Sequence, residues 1–169
     1  MYPDELIGAV GHVVMAAAWV EDKAGELVML ASFNAGNEDW SPAPGWAGSG
    51  RTIVEKLQAV SSDALADRLG AALEQRNYVV HGVALPGEHL VPGSSSGEPT
   101  WAFMKRRMGK EAPAGFSHRG LTVEDLDALA RELSAIEDLL DDEISVAMGL
   151  RPRPEDGRPA RRLEEPWSR

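Results

Sequence analysis

The chain has 169 residues, no cysteine, and 17 basic against 27 acidic residues, a net charge of −10 at neutral pH. That length supports one domain with a real core, and the missing cysteines exclude disulfides, thiolate metal sites and a cysteine nucleophile. The acidity argues against bulk electrostatic attraction to nucleic acid; with no apolar run as long as a membrane span and no basic n-region at Met1-Tyr2-Pro3-Asp4-Glu5, a cytoplasmic protein is expected.

A first helix is predicted from about Asp4 to Ser32. Leu6, Val10, Val13, Val14, Ala17, Val20, Ala24, Val28 and Ala31 recur at helical period and form one apolar stripe. Glu21 falls inside that stripe, about 60° from Leu6. His12, Met15 and Trp19 make a second face, for the core or for a subunit contact. Asn34 to Gly50 reads as a loop, in which Trp40 and Trp46 either cap the core or offer stacking surfaces for bases. Thr52-Ile53-Val54-Glu55 has the form of a capping box opening a short helix, with Ile53, Leu57 and Val60 facing inward.

A third helix follows, capped by Ser61 or Ser62 and stopping at Gly82, which is expected to be a left-handed terminator. Leu65, Leu69, Ala72, Leu73, Val79 and Val80 occupy an arc of about 120° on it, and Arg76 falls in the same arc. A guanidinium in a buried stripe needs a carboxylate, or else a wet cleft or a subunit interface. Glu21 is the carboxylate expected to face it, unless Glu21 reaches solvent; Glu137 is the rival. Asn77 and His81 lie one turn apart, so Arg76, Asn77 and His81 fan out over the helix's last two turns.

Val83 to Pro99 reads as loop. Thr100 to Arg107 reads as a strand with Trp101, Phe103 and Lys105 on one side, paired with Ala114 to Arg119. Lys105, Arg106, Arg107, Lys110 and Arg119 against Glu111 give this stretch a local charge of +4. Such a patch suits either a local anion contact or a solvated hairpin edge. Thr122-Val123-Glu124-Asp125 opens the last helix with a cap. Its core stripe is Leu126, Leu129, Leu133, Ile136, Leu140, Ile144 and Met148, ending near Gly149. Asp141-Asp142-Glu143 is expected to be a solvated face. Beyond it, residues 150–169 carry four prolines and six arginines, the composition of a disordered tail. The expected architecture is all-α: an antiparallel bundle of four to five helices over 1–149, with long loops and a small β-hairpin insertion.

The run from Arg76-Asn77 through His81-Gly82, at the end of a helix, resembles the signature of HEPN domains (higher eukaryotes and prokaryotes nucleotide-binding). A long first helix with an acid in its apolar face, a glycine-rich loop, a short helix, a variable insertion and a final acidic helix agree with it. The resemblance covers about Asp4 to Gly149, and only the six-residue motif is specific. It implies a helical bundle that forms a homodimer and juxtaposes two motifs. It also implies endoribonuclease activity without metal or cofactor, in a toxin or phage-defence setting with an antitoxin or defence-system partner. Arg76, Asn77 and His81 would then be catalytic, with Glu21 in support. Two positions after His81, where many toxin members have tyrosine, this chain has Val83.

The residues fit that chemistry. RNA cleavage without metal needs a base for the 2′-hydroxyl, an acid for the leaving 5′-oxygen and positive charge on the phosphate. Histidine exchanges protons near neutral pH, and arginine grips phosphate through a bidentate fork. One chain supplies one His81, whereas acid and base together want two, which a two-fold dimer provides. Lys105, Arg106, Arg107, Lys110 and Arg119 are the expected RNA contacts. The other reading is a non-catalytic helical dimer that binds a protein partner or nucleotide, with Asn77 and His81 hydrogen-bonding locally. The four histidines have no metal-ligand spacing, and neither Ser94-Ser95-Ser96 nor Gly93 to Gly97 has the surroundings of a nucleophile elbow or a phosphate loop.

Overall fold

A computed structural model of the protein describes residues 2–36, 50–87, 100–107 and 115–152, with the backbone alone at 106 and 107. Among the described residues four helices and three strands follow in the order α1 (Asp4–Asn34), α2 (Gly50–Val60), α3 (Asp63–His81), β1 (Val83–Pro86), β2 (Trp101–Arg107), β3 (Gly115–Leu121) and α4 (Val123–Ala147). The chain is thus mainly helical, but it carries a three-stranded antiparallel sheet where a hairpin was expected. The Trp40 and Trp46 segment, the Ser94 loop, Lys110 and the tail beyond 152 lie outside the described residues.

The buried side of α1 is Leu6, Ala9, Val13, Ala17, Val20, Ala24 and Leu27. These steps of three and four make a narrow seam, so the expected stripe is rotated: Ala9 and Leu27 enter and Val14 leaves. His12 is exposed, as are Met15 and Trp19, so that second face is not core. The helix ends at Gly36, whose φ of 78° puts it in the left-handed region that glycine tolerates.

Local signals explain most other boundaries, with three corrections. The α2 helix already begins at Gly50, so Thr52 stands within its first turn rather than ahead of it. Glu55 accepts from Arg51 Nε at 2.9 Å; Ile53 and Leu57 are buried as expected, and Val60 is half-buried. At α3 the cap is Ser62, whose Oγ accepts from the Leu65 N–H at 3.3 Å. Leu65, Ala66, Leu69, Ala72, Leu73 and Val79 are buried there, whereas Val80 is exposed. Gly82 is not left-handed, since positive φ among the described glycines is confined to Gly36 and Gly149. Space is the reason for glycine here: a Cβ would collide with the Tyr78 carbonyl oxygen and lie 3.4 Å from both Met104 O and Phe103 Cβ.

Reciprocal bonds open α4. Thr122 N–H donates to Asp125 Oδ2 at 2.8 Å, and Asp125 N–H donates to Thr122 Oγ1 at 3.0 Å. Its other end is a Schellman turn: Gly149 has φ 72°, Leu150 N–H donates to Ser145 O at 2.9 Å and Gly149 N–H to Val146 O at 3.0 Å. Leu126, Leu129, Leu133, Ile136, Leu140 and Ile144 are buried, while Met148, beyond the last helical residue, is exposed.

Val83 to Pro86 is a strand and not loop. It pairs antiparallel with β2, Val83 opposite Met104 and Pro86 opposite Trp101. Four residues ending in proline read poorly as a strand, but at a sheet edge a proline removes no needed donor. In turn β2 pairs with β3, with Phe103 opposite Arg119 and Met104 opposite His118. Alternation puts Phe103 and Leu121 on one buried face. Val83, Leu85 and Phe116 are exposed on the other.

The chain divides into two compact units, residues 1–17 with 71–133 and residues 18–70 with 134–169. The sheet and the end of α3 belong to the first; α2 and the end of α4 belong to the second. In the second, Lys23 Nζ meets Asp141 Oδ1 at 2.8 Å, and Arg151 meets Asp142 at 2.7 Å. Asn34 Nδ2 donates to Ala147 O at 2.8 Å. The acidic run at 141–143 is therefore half-buried with two ion pairs, and not a solvated face. A cation nine residues away, or on another helix, is invisible to a local reading of charge.

Candidate functional site

The last two turns of α3 carry the motif. Arg76, Asn77 and Tyr78 are half-buried and His81 is exposed. Arg76 Nη1 donates to Asn77 Oδ1 at 3.3 Å. Its Nε is buried and makes no hydrogen bond among the described residues, while the guanidinium holds other polar interactions as well. Half-burial is the decisive quantity for this arginine. It is partly withdrawn from water yet keeps an opening to solvent.

At 100° per residue Asn77, Tyr78 and His81 lie within an arc of about 100°, with His81 between the other two. From β3 the Arg119 guanidinium lies over the Tyr78 ring, 5.5 Å from its centroid, a cation–π contact. Through this contact the sheet delivers a second cation to the motif helix. The Phe103–Arg119 register roots Arg119 on the buried side of β3, from which its long side chain reaches out. Lys105 is half-buried on the same side of the sheet, and its carbonyl accepts from Ser117 Oγ at 3.4 Å. Arg106 and Arg107 belong to β2 by backbone, and Lys110 lies outside the described residues.

The first unit therefore brings Arg76, Asn77, His81 and Arg119 onto or beside one helix end. Glu21 is half-buried, belongs to the second unit and is not without a partner; Glu137 is half-buried and belongs to the same unit. Tyr78 stands inside the motif stretch, but its role as the seat of Arg119 depends on strand pairing and had no local signal. Among the described residues no group of three or more histidine or carboxylate side chains is arranged to hold a metal ion. No described helix is long and apolar enough to cross a membrane.

Set against protein-family models, curated proteins and solved structures, the chain matches none of them.

Proposed function

We propose that this protein is a HEPN-like endoribonuclease that works without metal, its site composed across a two-fold dimer. The observation that carries the reading is the motif's geometry: a half-buried Arg76 bonded to Asn77 and an exposed His81 one turn on. Arg76 holds a non-bridging phosphate oxygen by charge-assisted hydrogen bonds, which strengthen as charge builds there. One His81 takes the proton of the 2′-hydroxyl, whose oxygen attacks phosphorus. The other His81 protonates the leaving 5′-oxygen. The products are a 2′,3′-cyclic phosphate and a free 5′-hydroxyl, and the need for the 2′-hydroxyl restricts the substrate to RNA. Asn77 orients Arg76, and Arg119 on Tyr78 supplies a further phosphate contact.

The test is purified protein with RNA in EDTA, beside His81→Ala and Arg76→Gln. Loss of each group is expected to slow cleavage by about 10²-fold or more. Cleavage that persists in both variants refutes the reading. A non-catalytic interaction module is the second reading, and the exposed Ile7, Met15, Val83 and Phe116 favour it. Absence of cleavage by the dimeric wild type on structured and unstructured RNA would select it.

A further inference from the structure

A half-open cavity of about 430 Å³ lies in the first unit, and none of its lining residues belongs to the Arg76–His81 motif. Its volume is that of a small-molecule site. Leu6, Trp101 and Val123 form the apolar wall. The indole is held in place: Tyr2 packs edge-on against it at 5.9 Å and 70°, and Tyr2 is tethered by donating from its hydroxyl to Ala84 O at 2.9 Å. The tether joins the residues before α1 to the sheet, so the wall is built from three elements.

The polar wall sets the ligand's charge. Glu5, Glu124 and Asp127 line the cavity with a single cation, Arg131. Helix-end chemistry accounts for some of this acidity. Glu5 and Glu124 stand in first turns, where roughly half a positive charge at each helix end offsets them. The cap of α4 itself, however, is made by Thr122 and Asp125 and requires neither Glu124 nor Asp127. Asp127 lies past the first turn and is half-buried. Among the described residues no hydrogen bond or ion pair engages Glu5, Glu124, Asp127 or Arg131. That includes the i,i+4 pair Asp127–Arg131, where one is sterically available. Three carboxylates from two elements, Glu5 of α1 and Glu124 and Asp127 of α4, thus line one cavity beside the indole of Trp101.

We propose that this cavity binds an organic cation, an ammonium or guanidinium group on an apolar body. The charge would sit among Asp127, Glu124 and Glu5, and the body would lie against Trp101. A bare inorganic ion would leave that wall unused, and an anion would meet three carboxylates.

The probe is benzylammonium, titrated into the full chain and followed at the Trp101 indole N–H resonance, assigned with Trp101→Phe. Benzyl alcohol and phenylacetate serve as neutral and anionic counterparts. Saturable binding of benzylammonium is expected, at least ten-fold tighter than of either counterpart and at least ten-fold weaker in Asp127→Asn. Glu124→Gln, at an exposed position, provides a second charge-removing variant with the same expected direction. The proposal is overturned if no probe moves the indole, if the alcohol or the acid binds as tightly as the ammonium, or if both variants keep wild-type affinity. None of these readouts involves RNA, so the result stands apart from the nuclease reading.

Discussion

The two compact units handle their charged groups differently. In the second, cations and anions answer one another across sequence: Lys23 with Asp141 and Arg151 with Asp142. In the first, Arg76 donates to the Asn77 amide among its polar interactions, and Arg119 lies over the Tyr78 ring. Ion pairs between carboxylate and guanidinium cancel their fields; an amide or aromatic partner holds a guanidinium in place without neutralising it. Placement without neutralisation, as the ring gives Arg119, suits a phosphate contact. On the proposed nuclease reading, the first unit is the one that meets RNA, and the second carries the ion pairs Lys23–Asp141 and Arg151–Asp142.

If that contrast is right, substitutions in the first unit should change activity more than stability, and the reverse should hold in the second. The largest effect is expected for His81→Ala, which should reduce RNA cleavage by about 10²-fold or more while thermal unfolding stays at the wild-type temperature, because the side chain is exposed. Leu140→Ala empties a fully buried position of the second unit and should cost about 2–5 kcal/mol in denaturant unfolding, with cleavage per folded molecule unchanged. Gly82→Ala forces a Cβ against the Tyr78 carbonyl and should cost about 1–3 kcal/mol. Because it joins the motif helix to β1, it is the one substitution here expected to lower stability and activity together.

Gly8 tests the contrast in the opposite direction. Nothing lies within 4 Å of a Cβ built at this position of α1, so Gly8→Ala should stabilise the protein by about 0.5–1 kcal/mol. A loss of stability that scales with protein concentration would instead reveal a second copy packed on this face.

The smallest expected effect is on pH dependence. The hydrogen bond to Asp141 is the main cause of a raised Lys23 pKa, opposed by burial and reinforced by the charges of Asp141 and Glu26. A lysine whose pKa is higher when folded contributes stability that is fully present below its unfolded pKa, about 10.4, and is lost as pH rises through the folded value. Lys23→Met should therefore flatten the alkaline limb of the stability–pH curve. The effect at neutral pH should stay within about 1 kcal/mol, since the pair is partly exposed.

Helix identities and several ends were legible because their causes are local. The Ser62 cap, the Thr122–Asp125 box, the Gly149 terminator and the core stripe of α4 each need only residues within two turns. The β2–β3 pairing was legible from alternation. Less so was the face of α1: Val13 and Val14 are equally apolar, and only packing decides that Val13 is buried and Val14 exposed. Val80 and Met148 fail for the same reason, lying at helix ends where periodicity no longer guarantees a neighbour.

By itself the sequence determined the spacing of Arg76, Asn77 and His81, since one helix with 3.6 residues per turn sets their relative directions whatever surrounds it. Tertiary structure alone decided that β1 joins the sheet, that Arg119 settles on Tyr78, and that Glu5, Glu124 and Asp127 share a cavity with Trp101. Each of these unites segments far apart in the chain, and long-range meetings follow from the packing of whole elements, which no local pattern encodes.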